Sequence, residues 1–301
     1  MDRRDFLKYA ATTPAVALSA AHLSDRGAVS QIRIPRVGGP SLKLSCNLYS
    51  FNDLLQKGEM TLEAVLEYCA GLDLAAVDPT AYYFPNYPAT PSDDYLFHIK
   101  RRAFLLGLDI SGTGVRNDFT EAEAAKRKAS VDHVKTWTEC AARLGAPAIR
   151  VFAGRGVPDG HSEQEVTGWV AQALRECADY GARHGVMIVL QNHNDFIRDS
   201  AQTLAMLRMV DSVWLAVNLD IGSYRIGDPY EEIARVAPYA ATWQIKENVY
   251  FGDRETKTDL RRLFGIIKGA GYRGYLPLET LGGDPRIKLP KFLDEARKAL
   301  A

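Results

Sequence analysis

The sequence predicts an α/β protein whose architecture is a single-domain (β/α)8 TIM barrel. Eight short apolar or β-branched runs recur about 25–40 residues apart, and amphipathic, helix-like stretches separate them. Eight such units favour a closed parallel barrel over the competing doubly wound open sheet. The open sheet is also disfavoured because no GxGxxG turn follows the first run, which ends in CNLYSF. We therefore predict one barrel over residues 40–301.

The predicted strands cover residues 42–48, 74–77, 108–110, 148–152, 186–190, 213–217, 242–245 and 275–278. Predicted helices lie between them and include residues 61–72, 121–145, 161–185, 200–210, 228–238 and 258–271. Residues that cap helices, such as Thr61, open several of these stretches. Glycines close the two longest, at Gly145 and Gly185, as expected where a helix ends in a left-handed residue.

Residues 1–30 differ in character from the rest of the chain. They begin with Arg3-Arg4 followed by DFLK, continue through the Ala/Thr-rich stretch 9–21, and offer several small residues near Ala21. This layout is typical of an export signal and resembles a twin-arginine motif. We expect a cleaved signal with a disordered leader, recognition by the twin-arginine export machinery, and a periplasmic or otherwise exported protein. A disordered amphipathic N-terminus is the alternative.

The overall composition excludes several classes of protein. The 37 Lys and Arg residues balance 37 Asp and Glu residues, which argues against a nucleic-acid partner. A hydrophobic fraction of 47% excludes a mainly disordered chain. No apolar run reaches the roughly 18 residues that a membrane span needs. The four cysteines form no CxxC pair, so we expect small buried residues rather than a zinc cluster or a disulfide framework.

Polar residues concentrate at the ends of the predicted strands, where a barrel of this kind places its chemistry. In chain order, the candidates are Asn47, Tyr83, Arg150, Phe152, Gln191, His193, Asn218, Asp220, Gln244, Lys246 and Glu279. Glu279 follows the buried-looking run YLPL, where an unpaired carboxylate is costly, and this favours a functional role. Asp220 shares strand parity with Asn218, which favours a site role over that of a helix cap.

Four segments at these strand ends carry a family resemblance: IVLQNHND, LAVNLDIGSY, TWQIKEN and YLPLET. In order and position they resemble the xylose isomerase-like TIM barrels of the sugar phosphate isomerase/epimerase superfamily, over roughly residues 40–300. Members of this family usually hold a divalent metal through Glu, Asp, His and Glu. The corresponding positions here are Gln191, Asp220, Gln244 and Glu279, of which two match and two do not.

The resemblance implies a divalent cation, such as Mn²⁺ or Mg²⁺, at a site with weakened ligands. Two carboxylates and two neutral amides replace three carboxylates and an imidazole, although amide oxygens do ligate hard cations. His193 shares strand parity with Gln191, so it is a candidate either for a replacement nitrogen ligand or for an acid or base. The oligomeric state, including a homo-oligomer, stays open.

The resemblance further implies an isomerase or epimerase that abstracts a proton next to the carbonyl of a small carbohydrate. Glu279 is the expected base, with Lys246 and His193 as partner acid or oxyanion stabiliser. Asn47, Tyr83, Arg150, Phe152 and Asn218 are the expected substrate contacts. A non-phosphorylated sugar is favoured because no phosphate-binding loop is evident. The alternatives are a β-elimination lyase or hydratase acting on 3-keto-glycosides, and a sugar-binding barrel that has lost its chemistry.

Overall fold

A parallel sheet dominates the computed structural model, which describes residues 33–301. The strands are β1 (Ser41–Asn47), β2 (Ala76–Asp78), β3 (Asp109–Ile110), β4 (Thr113–Gly114), β5 (Ala148–Val151), β6 (Met187–Gln191), β7 (Leu215–Asp220), β8 (Ala240–Lys246), β9 (Asn248–Phe251), β10 (Arg254–Lys257) and β11 (Arg273–Glu279). The sheet order is β3-β2-β1-β11-β8-β7-β6-β5-β4, with parallel neighbours throughout. Strands β9 and β10 form a separate antiparallel hairpin.

The two edges of this sheet belong to one interrupted strand, because β3 and β4 are separated only by Ser111 and Gly112. Strand β3 pairs with β2, and β4 pairs with β5, so the ring closes through this third barrel strand. Counted in this way, the described residues contain eight barrel strands, and the predicted TIM barrel fold is confirmed. The predicted export signal at residues 1–30 lies outside the described residues.

Helices follow the barrel strands along the chain. They are α1 (Asn52–Gln56), α2 (Leu62–Gly71), α3 (Asp93–Leu105), α4 (Ala124–Leu144), α5 (Glu163–His184), α6 (Ser200–Val210), α7 (Pro229–Val236), α8 (Leu260–Gly269) and α9 (Pro285–Leu300). The predicted ends are confirmed where the cap chemistry is strong: Thr61 accepts from the Ala64 amide, and Gly145 and Gly185 adopt left-handed backbone. Within residues 33–301, no helix is long and apolar enough to cross a bilayer.

The interior of the barrel is filled differently at its two ends. At the amino-terminal end, Ala148, Val189 and Ala216 form a small apolar cluster against which Ile34 packs. The segment before β1 is fixed there, since the Ile34 amide donates to the Pro238 carbonyl at 3.3 Å. A larger apolar core contains residues from both the strands and the helices. At the other end the interior side chains become polar, and this is where the site lies.

Candidate active site

A cavity of about 460 Å³ lies at the carboxyl ends of the barrel strands. Seven of the eleven predicted site residues line it: Arg150, Phe152, Gln191, His193, Gln244, Lys246 and Glu279. The other four, Asn47, Tyr83, Asn218 and Asp220, do not appear in its wall. The cavity therefore gathers residues from β5, β6, β8 and β11 together with the loops that follow them.

Asp220, Lys246 and Glu279 form the charged centre of the site. Lys246 Nζ donates to Asp220 Oδ2 at 2.8 Å and lies 3.5 Å from Glu279 Oε1. Strand register produces this arrangement, because Glu279 on β11 pairs with Lys246 on β8. Asp220 is fully buried and Glu279 is 3% exposed. One ammonium group thus lies between two buried carboxylates.

Asp220 is held in place by groups on both sides. The Gly222 amide donates to Oδ1 at 3.0 Å, while Oδ2 accepts from Gln191 Nε2 at 2.8 Å and from Lys246. Asn192 forms a reciprocal pair with the Asp220 backbone, donating to its carbonyl and accepting from its amide, both at 2.9 Å. The carboxylate is therefore fixed in orientation beneath the cavity floor.

The charged groups of this centre shift one another's pKa values. Burial lowers the pKa of Lys246, but the nearby negative charges of Asp220 and Glu279 outweigh it and raise that pKa above its ordinary value. Lys246 is consequently a stable cation at neutral pH. Burial raises the pKa of Glu279, Lys246 opposes the rise and Asp220 adds to it. A carboxylate with a raised pKa is a stronger base than an exposed one, which suits proton abstraction.

The two glutamines form a chain beside this centre. Gln191 Nε2 donates to Asp220 Oδ2 and also to Gln244 Oε1, the latter at 2.7 Å. The acceptors Gln191 Oε1 and Glu279 Oε2 are buried and have no hydrogen-bond partner among the described residues. Buried acceptors normally pair with a donor, so these two oxygens are suited to receive the hydroxyl groups of a polar substrate.

Arg150 provides a second cation on the opposite wall. It is 6% exposed, and its guanidinium donates to the Val115 carbonyl and the Tyr82 hydroxyl, both at 2.5 Å. The same group lies 4.2 Å from the ring centroid of Phe152. A glycine makes room for it: a Cβ at Gly114 would lie 2.9 Å from the guanidinium. Arg150 is thus anchored by neutral groups rather than by a carboxylate.

The aromatic part of the wall comes from Tyr82 rather than from the predicted Tyr83. Tyr82 lines the cavity, and the Arg116 guanidinium lies 4.5 Å from its ring centroid. Tyr83 lies outside the wall, where its hydroxyl donates to Asn52 Oδ1 at 3.2 Å. Neighbouring residues of a 3₁₀ turn point in different directions, which the sequence alone does not resolve.

His193 lies at the rim of the cavity and not at its floor. Strand β6 ends at Gln191, so the strand parity expected to align the two side chains stops before His193. The ring packs 4.7 Å from that of Phe152, and Nδ1 lies 3.4 Å from Asp195 Oδ2. About half of the side chain is exposed. The imidazole is therefore positioned for contact with the outer part of a bound ligand.

Two predicted substrate contacts lie below the cavity. Asn47 Oδ1 accepts from the Tyr49 amide at 2.9 Å and so caps the 3₁₀ turn that carries Tyr49 into the cavity wall. Asn218 sits two residues before Asp220 on β7 and is 1% exposed. Neither amide atom of Asn218 has a hydrogen-bond partner among the described residues.

The residues at the implied metal positions do not suit a divalent cation. Gln191 turns its N–H group, not its oxygen, toward Asp220. The reverse orientation would set two acceptor oxygens against each other, so the donor assignment follows from the chemistry. Among residues 33–301, no three His, Cys, Asp or Glu side chains are grouped as metal ligands. The residues at these positions therefore do not fit the divalent metal that the resemblance implies.

Sequence reasoning overlooked Asp78, at the end of β2. This carboxylate is 6% exposed, and burial raises its pKa to about 6, with Arg150 opposing the rise and Glu279 adding to it. Its nearest polar contact is Asn47 Nδ2, at 3.5 Å. A signal was available, because Asp78 is a carboxylate at the end of an apolar run, and it is the last residue of β2 as Asp220 is of β7.

The fold and site together define a class of protein. Residues 66–300 match the profile described as Xylose isomerase-like TIM barrel, so the chain belongs to that family. No curated protein matches the chain.

Solved structures show the same fold at low identity. The chain is similar to D-psicose 3-epimerase from Clostridium cellulolyticum H10 (TM-score 0.71, 15% identity, 86% of this chain and 99% of that one). It is also similar to 3-keto-D-glucoside 4-epimerase from E. coli (0.67, 14%, 86% and 99%). A third similar structure is a probable 3-DHS dehydratase from Bacillus anthracis (0.61, 16%, 86% and 98%).

Proposed function

We propose that this protein is an isomerase or epimerase that abstracts a proton from the carbon next to a carbonyl in a non-phosphorylated carbohydrate. The observation that carries this proposal is the pairing of the buried Glu279 carboxylate with the Lys246 ammonium at the cavity wall. A base and a fixed cation side by side are what an enolate-forming reaction requires.

In the proposed step the C–H bond next to the carbonyl breaks and its proton passes to Glu279. The electron pair moves into the new C–C double bond, and negative charge develops on the carbonyl oxygen. Lys246 lines the cavity as a cation able to stabilise that oxygen. Delivery of a different proton to the opposite face of the same carbon, for which His193 is the candidate donor, gives an epimer. Return of the proton from Glu279 to the former carbonyl carbon, while the proton of the neighbouring hydroxyl passes to the former carbonyl oxygen, gives an isomer.

Membership of the xylose isomerase-like family supports a sugar substrate. Two of the similar structures are named as sugar epimerases, which is consistent with the proposal although their likeness establishes only the fold. The unpartnered acceptors Gln191 Oε1 and Glu279 Oε2 suit substrate hydroxyl groups. A non-phosphorylated sugar also agrees with the export signal predicted at residues 1–30, and we propose an exported location on that basis.

β-Elimination from a 3-keto-glycoside is the second candidate, and the position of His193 favours it. This reaction needs one base and an acid for the leaving group. Glu279 would take the proton, the C–O bond at the next carbon would break, and the departing oxygen would receive a proton. His193 lies at the rim of the same cavity as Glu279, where a leaving group would exit.

The test is incorporation of solvent deuterium into ketoses and 3-keto-glycosides, followed by NMR in D₂O. We expect exchange at one carbon next to a carbonyl, and Glu279→Gln should reduce the rate at least about 100-fold. Glu232→Gln is the matched control, because Glu232 is also buried but accepts from the Ser200 amide outside the cavity.

The NMR spectra also separate the alternatives. A product with a new double bond, or a released alcohol, would show that the reaction is elimination and not isomerisation. Tight binding of a sugar without exchange at any carbon would instead identify a binding protein. Undiminished exchange in Glu279→Gln would remove Glu279 from the mechanism.

A further inference from the structure

The position of Lys246 has a significance beyond that of a partner acid. Its Nζ lies 2.8 Å from Asp220 Oδ2 and 3.5 Å from Glu279 Oε1, the two carboxylates that match the ligand positions of the family. A divalent ion binds carboxylate oxygens at roughly 2.0–2.6 Å. A divalent ion bound to Asp220 Oδ2 would therefore compete with the Lys246 ammonium for the same carboxylate oxygen. The cation between these carboxylates belongs to the chain itself.

The surroundings of Asp220 Oδ2 reinforce this. The oxygen accepts from Gln191 Nε2 as well as from Lys246, so two donors already occupy it. Gln191 also donates to Gln244 Oε1, which uses one of the two lone pairs that this second amide oxygen would offer to an ion. A metal ion would have to displace the lysine and reverse the Gln191 amide at once.

Charge balance leads to the same conclusion. The ligand set implied by the family contributes three negative charges and one imidazole, which more than offset the two positive charges of a divalent cation. In this chain Asp220 and Glu279 contribute two negative charges, and Lys246 returns one positive charge at contact distance. A dication entering this centre would meet a net charge of only about −1 and a neighbouring ammonium, and both weaken its binding.

Gly222 leaves space for the side chain of Lys246. A Cβ at residue 222 would lie 2.9 Å from Lys246 Cδ, so Gly222 allows the lysine stem to pass over the end of β7. The Gly222 amide meanwhile donates to Asp220 Oδ1. One glycine therefore both orients the carboxylate and admits its cation.

We propose that Lys246 permanently occupies the place of the family's divalent cation, and that the site works without a metal ion. An ammonium has three N–H donors; Asp220 accepts from one of them, Glu279 lies at ion-pair distance, and Lys246 lines the cavity. A further donor is then available to the oxygen of the substrate carbonyl. This catalytic role rests on the proposed function, whereas exclusion of the metal rests on the contacts alone.

The experiment measures Mn²⁺ binding to the full chain by equilibrium dialysis, together with the melting temperature in Mn²⁺ and in EDTA. The wild type should bind no Mn²⁺ that depends on Asp220, and neither additive should shift its melting temperature. A rebuilt site, Gln191→Glu with Gln244→His and Lys246→Met, should gain Mn²⁺. The same double change with Lys246 retained is the matched control, and it should bind at least roughly 100-fold more weakly because the ammonium repels the ion.

Stoichiometric Mn²⁺ on the wild type that disappears in Asp220→Asn would overturn the inference. If the rebuilt variants do not fold, the wild-type measurements still decide the matter. Deuterium exchange that EDTA abolishes and Mn²⁺ restores would uphold the proposed function and refute the metal-free site. Absence of exchange on every sugar, together with no Mn²⁺ binding, would refute the function and leave the metal-free site standing.

Discussion

The cations on the two walls of the cavity have different kinds of partner. On the wall built from β6, β8 and β11, Lys246 contacts Glu279 and also Asp220, which lies beneath the cavity floor and accepts hydrogen bonds on both carboxylate oxygens. On the wall that follows β5, Arg150 has no carboxylate within contact among the described residues. It donates to a carbonyl and a phenol and stacks on Phe152.

This difference indicates that the two walls have different functions. The groups of the charged centre hold one another in place through ion pairs and hydrogen bonds, as expected of groups that must keep their positions while a proton moves. The arginine wall keeps its positive charge uncompensated at close range, which suits recognition of the electron-rich oxygens of a ligand. Substitutions in the first wall should therefore affect turnover, and substitutions in the second should affect binding.

The largest effect is expected from Lys246→Met. Loss of the cation leaves two buried carboxylates facing each other and removes the stabiliser of the developing oxyanion. We expect kcat to fall roughly 10²–10³-fold, as when an oxyanion-hole donor is removed. Exchange kinetics at saturating sugar measure this. Lys135→Met is the control, since Lys135 is also largely covered and paired with Glu176, but on helix α4. An unchanged kcat would place Lys246 outside the chemistry.

Asp78→Asn should have the next largest effect, on stability rather than turnover. With a pKa of about 6, Asp78 holds its proton more tightly in the folded state than in the unfolded state, where the pKa is near 3.9. Stability from this residue is therefore lost as the pH rises from about 4 to 6. The amide should restore about 3 kcal/mol above pH 7 and nothing near pH 3.5. Urea unfolding at both pH values measures this, and an equal change at both would contradict the assignment.

Arg150→Met should mainly weaken substrate binding. The change removes a buried charged donor but leaves the Glu279–Lys246 pair intact, so we expect KM to rise roughly tenfold to 100-fold while kcat changes less. Arg150→Lys should not rescue it, because an ammonium lacks the planar face that stacks on Phe152. A loss confined to kcat would erase the distinction between the two walls.

The smallest effect is expected from Gly222→Ala, which presses one methyl group against the Lys246 stem. We expect a destabilisation of about 1–3 kcal/mol, typical of overpacking, together with reduced kcat as the ammonium moves. Gly168→Ala on helix α5 is the matched control, since a Cβ there meets nothing within 4 Å. That change should be neutral or stabilising. Equal behaviour of the two alanines would show that Gly222 is not needed for the lysine.

Much of the fold could be predicted from the sequence, because the information was local. Periodic apolar runs and helix caps such as Thr61 are encoded in adjacent residues, and the observed elements follow them. The division of the third strand was not foreseen. The β9–β10 hairpin was also missing from the predicted elements.

The predicted strand ends indicated which residues approach the cavity, but not which of these residues contact one another. The contact of Lys246 with Asp220 depends on the register between β7 and β8, which includes a bulge after Val217. The choice of Tyr82 over Tyr83 depends on the path of a short turn. Both are three-dimensional facts that residue types and spacing do not contain.

The four cysteines make the barrel a reporter of its own opening. All four thiols are free and buried, and burial raises the pKa of Cys140 to about 11 and that of Cys177 to about 12. A native thiol of this kind is inert toward alkylating reagents because it is neither reachable nor ionised. We therefore expect a cysteine to be labelled only after the structure around it opens. Mass spectrometry of the labelled sites can then measure the opening rate of each part of the barrel without any engineered probe.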